Sequence, residues 1–525
     1  DGSPVTYGGN LTYRLKWCRN NPAFPAYMKR VLRRGIEHGL DMIHFDNFLN
    51  KPEPKACRCP HCASKFRAFV RAKFSVAELK QRLGFSDLTH VLPPTFTDPL
   101  YVCYGDDVIQ NPLVQEWVDF RCQTLADSLR DLVGYCRSLK PDIVFDTNST
   151  GIWGENSANL RGVDHARLLP LGHLFWDESP NPHGLQRNGA LPTSVRSMKM
   201  GETFGNRVLF YCFSDRREHV EMKAGEAFAF NGGCIGMVSF LDGDTVPAAG
   251  MCRPYVDFLQ THAELLCGPT SMARLAVYRN FPSLAYNAWG PHVQSLLAEQ
   301  TLLQHHIPFD LVFDPAGFGN YAALVVAGME CLSDDEVRAL RRYVEGGGRA
   351  ILIGDVGTRD AWRRPRSADP FADAVTAAGG IVHLPPLELP AKAPGMDGRA
   401  VWDNFYRVVD GRFWMLPSNA KALLAVLARE AWTAVRELDT NLPATSLAEP
   451  RLCADGRTRV VHIINYSAKT LGRRQWVSLP GLKPDTSVQQ LAPGAPPCAL
   501  ETRSVKGRQR IDFPNDRIYS LIRVA

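Results

Sequence analysis

The sequence has no run of about 18 apolar residues, so no segment of it reads as a membrane-crossing helix. It has no long basic block either. Its 60 Lys and Arg and 54 Asp and Glu are mixed along the chain, for a net charge of +6, and no nucleic-acid partner is indicated. G-x-S-x-G and H-E-x-x-H are both missing, which removes the usual signatures of serine hydrolases and zinc metalloproteases. There is no internal repeat and no low-complexity tract. The first residues, "DGSPVTYGGN", lack a Met, a basic n-region and an apolar h-region, so no targeting signal is visible. Fourteen cysteines in 525 residues are too sparse for a disulfide scaffold and point to a reducing, cytoplasmic setting.

What the chain has is length, enough for about two to four domains. Residues 1–270 alternate helical and strand-like segments. "PAYMKRVLRRGIEHG" has the spacing of an amphipathic helix with Tyr27, Met28, Val31, Leu32 and Ile36 inward, and "LDMIHFDN" reads as a short buried strand. "SVAELKQRLGF" is a helix opened by Ser75, and "VQEWVDFRCQTLADSLRDLVGYCRSLK" is a long helix ending before Pro141. "DIVFDTN", "HLFWDES", "RVLFYCFSD" and "CIGMVSFLDGD" read as strands. This rhythm predicts parallel strands with crossover helices. Several strands end on polar groups: Asp46-Asn47, Asp146-Thr147-Asn148, Asp177-Glu178, Ser214-Asp215 and Asp242. In a (β/α)8 barrel those ends form the active face, so a barrel is expected over 1–270.

Residues 271–390 read as a second, flavodoxin-like α/β unit, with strands in "RLAVYRN", "FDLVFD", "ALVVAGMECLS" and "RAILIGD". Its "GGGR" closes a helix instead of opening one, which argues against a phosphate loop. Residues 391–450 form a connecting segment. From 451 to 525, "TRVVHIINYS", "QWVSLPG", "RQRIDF" and "RIYSLIRVA" alternate with period two and predict a small antiparallel β-sandwich.

Two constellations carry chemistry. "CRCPHC" offers Cys57, Cys59 and Cys62 from one tight turn, and thiolates suit zinc. A fourth ligand must come from elsewhere, with Cys18 upstream and His61 inside the cluster as candidates. Four thiolates would close the site and make it structural. The strand-end acids are the second constellation. Glycoside hydrolysis needs two carboxyl groups flanking the scissile bond, and "FWDES" sets Trp176, a sugar-stacking aromatic, beside two of them.

These residues resemble the centre of the glycoside hydrolase family 42 β-galactosidases. "CRNNPAF", "FDNF", "CRCPHC" and "FRAFV" occur in the family's order, and "FDTNSTG" and "FWDESP" resemble its later strands. The resemblance implies a structural zinc on Cys18, Cys57, Cys59 and Cys62, a carbohydrate substrate, and a trimer formed through the flavodoxin-like domain. It also implies that the family's first three strands precede residue 1, so the chain reads as N-terminally truncated. Two departures stand out. Phe48 occupies the position of the family's acid/base Glu, and "FYCFSD" has no nucleophile Glu. β-Galactosidase activity therefore does not carry over. The expected replacement is a retaining pair, Asp46 as nucleophile and Glu178 (or Asp177) as acid/base, with Asn47, Asn148, Trp176 and Asp215 holding the sugar. The competing expectation is a non-catalytic carbohydrate-binding or structural relative.

Overall fold

The computed structural model describes residues 16–51, 53, 56–95, 108–148, 157–177, 184–210, 212–213, 216–234, 238–239, 246–287, 290–374, 380–391, 411–467, 469, 471–505 and 507–525. Four strands, β1 (Met42–Phe45), β2 (Val144–Asn148), β3 (Leu174–Asp177) and β4 (Arg207–Phe210), pair in sequence order as a parallel sheet. A short parallel pair follows, Cys212–Phe213 with Val238–Ser239. Among the described residues the four-stranded sheet is open.

Helices cover one face of this sheet. α1 (Ala23–Glu37), α2 (Pro60–Lys73), α3 (Val76–Leu83) and the long α4 (Pro112–Leu139) precede β2. Asn111 opens α4 by accepting from the N–H groups of Leu113 and Val114, and Pro112 takes the position where a missing N–H costs nothing. Ser75 and Glu78 form a reciprocal capping box at α3. Ile43, Phe45, Phe145, Leu125, Leu129 and Leu132 pack between sheet and helices. One expectation fails on α1. Leu32 is buried with Met28 and Ile36 against it, but Tyr27 and Val31 are exposed. α1 packs by one face on α4, and Tyr27 turns instead to stack on Trp17, 5.6 Å between ring centroids.

The second sheet contains β5 (Leu275–Tyr278), β6 (Asp310–Val312), β7 (Ala323–Ala327), β8 (Arg349–Ile353) and β9 (Ile381–Leu384), all parallel in the order β9-β8-β7-β5-β6. Counted within the unit this is 2-1-3-4-5, the flavodoxin-like order. The helix Asp334–Glu345 ends at the glycine run as expected, with Gly347 at φ +98°, a conformation that favours glycine.

Beyond these lie two antiparallel sheets. One holds Asp439–Thr440, Arg473–Ser478, Arg508–Asn515 and Thr502–Val505. The other holds Cys498–Leu500, Val488–Leu491, Tyr519–Val524, Arg459–Asn465, Ser446–Leu452 and, from upstream, Thr270–Ser271. The central strand Arg459–Asn465 is buried on both faces. Val461 and Ile463 meet the smaller sheet, while Val460 and Ile464 join the main core. That core runs on through Phe175, Val208, Phe228, Leu296, Val325 and Tyr519, so the sheets share one interior. Buried ion pairs cross it. Lys199 reaches Glu449 at 2.9 Å, Arg279 reaches Glu299 at 2.6 Å, and Arg451 pairs with Glu202.

Candidate functional site

A cleft of about 570 Å³ opens at the C-terminal end of β1. Asp46 follows the last residue of that strand, and its side chain is 60% exposed. Three neighbours fix it. Asn47 donates from Nδ2 to Asp46 Oδ1 at 2.8 Å, Asn148 donates to the same oxygen at 3.1 Å, and His44 Nε2 stands 3.9 Å away. The His44 interaction, then the two amides, hold the Asp46 carboxyl at about 2, below its ordinary value, so it is ionised throughout the neutral range. Asn47 is left-handed at φ +49°, a conformation Asn tolerates, and this turns the chain sharply after the strand. Its carbonyl accepts from Lys16 Nζ at 3.1 Å. Burial, and next the charge of Arg19, lowers Lys16 to about 7.

Phe48 is buried. Its ring packs on Phe45 at 5.5 Å with the Arg19 guanidinium 4.2 Å above it, and its N–H donates to the Asn148 carbonyl at 2.9 Å. It stitches β1 to β2 and handles no proton.

The strand pleat sorts the other predicted residues. His44 pairs in register with Asp146, and Asn148 with Trp176, so these four share one face with Asp46. Trp176 presents its ring edge-on to His44 at 5.4 Å. Asp177 alternates to the opposite face, beside Phe175, and is 1% exposed. Glu178, Asp215 and Asp242 lie outside the described residues. Asn47 and Asn148 both direct their amides at Asp46, which gives them a positioning task at the carboxylate.

His44 is a residue of this site that sequence reasoning missed. Its Nδ1 lies 2.6 Å from Oδ2 of Asp146, a carboxylate fully buried on β2. The available signal was the i, i+2 spacing of His44 and Asp46 on one strand, but its partner is 102 positions away. Asp146 first, then Asp46, raises His44 to about 9.

The cysteines form the wall beside this carboxylate, since Cys18, Cys57 and Cys62 line the same cleft. The sulfurs of Cys18, Cys57, Cys59 and Cys62 all lie within 4.8 Å of one another. Cys18 stands 3.5 Å from both Cys59 and Cys62, and Cys59 stands 3.8 Å from Cys62. Tetrahedral zinc with Zn–S of about 2.3 Å separates its sulfurs by about 3.8 Å, so the four residues fit such an ion. Cys59 caps α2 and Cys62 sits in its first turn, where the helix dipole favours thiolates. Contact with its neighbours, Cys57 first, pushes the Cys18 thiol up to about 12, and Cys18 likewise raises Cys62. A cation would relieve that crowding. His61 lies on α2 outside the cluster and is exposed.

No protein family matches the sequence by profile, and no curated protein matches it. Solved structures do match. A cold-adapted β-galactosidase from Rahnella sp. R3 superposes over 97% of this chain and 82% of its own, at 14% identity and a TM-score of 0.66. The fold is that of the family 42 glycoside hydrolases. The family 42 exo-carrageenase of Bacteroides ovatus covers 98% of this chain and 71% of its own, at 11% identity and a TM-score of 0.63. An α-L-fucosidase from Paenibacillus thiaminolyticus covers 97% and 81%, at 14% identity and a TM-score of 0.58. At such identities the likeness is one of fold, and the chemistry must be argued from the site.

Proposed function

We propose that this protein is a glycoside hydrolase cleaving an O-glycosidic bond of an oligosaccharide or glycoside, with retention at the anomeric carbon and Asp46 as the nucleophile. One observation carries the reading. Asp46 is an ionised, solvent-facing carboxylate held by two amides at the C-terminal edge of a parallel sheet. The sheet is read as a segment of a (β/α)8 barrel. The glycosidases with this fold support the carbohydrate class of the substrate.

In this reading Asp46 attacks the anomeric carbon and the sugar stacks along Trp176, and the sequence adds Asp215 as a further sugar-binding candidate. The four cysteines hold a structural zinc, which would pin the Asp46 loop and take no part in bond breaking. Glu178 or Asp177 is the acid/base expected from the sequence; Asp177 lies on the face of β3 turned away from Asp46, so the role does not fall to it. Association through the flavodoxin-like unit into a trimer belongs to the same proposal.

A second reading is favoured by one observation, the burial of Phe48 where the resembling family keeps its acid. It describes a non-catalytic carbohydrate binder. A panel of α- and β-aryl glycosides separates the two. Turnover that disappears in Asp46→Asn supports the hydrolase, and no turnover on any member supports the binder.

A further inference from the structure

The cleft holds a proton-handling group that the carboxylate assignments leave out. Asp146 is fully buried, and its Oδ2 lies 2.6 Å from His44 Nδ1. No hydrogen-bond partner for Asp146 Oδ1 is found among the described residues. A buried carboxylate so placed fixes both the ring plane and the tautomer. Nδ1 carries the hydrogen shared with Asp146, and Nε2 is the nitrogen presented to the cleft. Nε2 lies 3.9 Å from Asp46 Oδ1, too far for a direct hydrogen bond. The imidazole is 39% exposed and lines the cleft, so a substrate oxygen can reach it.

We propose that His44, oriented by Asp146, is the acid/base of the site and performs the proton transfers that Phe48 cannot. The proposal rests on the reading of Asp46 as nucleophile. In the first step an Asp46 oxygen forms a bond to the anomeric carbon as the glycosidic C–O bond breaks. The His44 Nε2 proton passes to the departing oxygen, which leaves as an alcohol. In the second step neutral His44 takes a proton from water. The water oxygen bonds to the anomeric carbon, and the ester to Asp46 breaks with its electron pair returning to the carboxylate.

The charges around His44 fit this cycle. Asp146 faces it from β2 and Asp46 from the end of its own strand, while β3 contributes the uncharged Trp176. Lys16 lines the same cleft, donates to the Asn47 carbonyl and feels the charge of Asp46. Asp146 first, then Asp46, raises His44 to about 9, so it holds its proton at neutral pH. Esterification of Asp46 removes one of the two negative charges, which lowers the proton affinity of His44 at the point where it must act as a base.

The test is kinetic, on aryl glycosides whose leaving groups range from 2,4-dinitrophenol to phenol. It compares the wild type with His44→Gln, Asp146→Asn and Glu178→Gln. A 2,4-dinitrophenolate leaves without protonation and a phenolate does not. His44→Gln should lose roughly 10²- to 10⁴-fold in kcat/KM on the phenyl glycoside and stay within about tenfold on the dinitrophenyl one. Azide should then accelerate the variant and give a glycosyl azide. Asp146→Asn, a change of shape small enough to fold, should shift the basic limb of the pH profile downward. Equal losses on both leaving groups would overturn the assignment, as would a leaving-group-selective loss in Glu178→Gln. If His44→Gln fails to fold, an unmoved basic limb in Asp146→Asn overturns it. Wild-type silence across the whole panel removes the hydrolase reading itself, and this step with it.

Discussion

Asn148 on β2 donates to the Asp46 carboxylate beyond the end of β1, 3.1 Å from Nδ2 to Oδ1. Its carbonyl also accepts from the Phe48 N–H, so one residue holds the Asp46 turn through both side chain and backbone. Asn148→Leu keeps the backbone bond and removes the side-chain donor. The Asp46 pKa, held at about 2, should rise. The acid limb of the pH–rate profile should move to higher pH while the far-ultraviolet dichroism stays unchanged. A stationary acid limb would show that the amide does not act on Asp46.

The His44 and Asp46 charges also make stability depend on pH, with opposite signs. Asp46 lies below its unfolded value, so its contribution is present above about pH 4 and lost as pH falls through about 2. His44 lies above its unfolded value. Its contribution is present below about pH 6.5 and lost as pH rises through about 9. Both side chains are partly exposed and solvent screens them, so the effect is small. Thermal melts of the wild type should decline between pH 7 and 9, and His44→Gln should flatten that decline.

The cysteine centre predicts about one zinc per chain by elemental analysis, bound by four thiolates. Cys59→Ser should lower the metal content and the melting temperature together. Because Cys18, Cys57 and Cys62 wall the cleft, glycosidase activity should fall as well. Metal-free protein that melts at the same temperature with and without chelator would remove the ion from the account.

Lys199 and Glu449 form a fully interior pair linking the helix Val195–Thr203 to the C-terminal strand Ser446–Leu452. Lys199→Met strands a buried carboxylate and should cost roughly 3–5 kcal/mol in urea unfolding. Replacing both partners by apolar residues should recover most of that loss.

Much of the architecture could be read from the sequence. The apolar strands leading to Asp46, Asn148 and Asp177 and the helix opened by Ser75 are where pattern and chemistry place them. The strand Ser446–Leu452 was hidden, since "SLAEPRL" carries Glu449 and Arg451 inside the protein. Ion pairs, not apolar side chains, satisfy those positions, so no period-two pattern marks them. Tyr27 and Val31 show the reverse. Helical spacing gives a face, but it does not say how much of that face has a neighbour. In the site, Asp46 and the cysteines were legible from local spacing, with Cys18 added by resemblance. His44 was not, because an isolated His in a strand acquires meaning only when β2 brings Asp146 to it.

The most direct measurement is to trap the glycosyl-enzyme with an activated 2-deoxy-2-fluoro glycoside of a cleaved sugar and map the label by peptide mass spectrometry. The account predicts one sugar mass, carried as an ester on Asp46 and missing in Asp46→Asn. A label on another carboxylate, or undiminished turnover by Asp46→Asn, would contradict it.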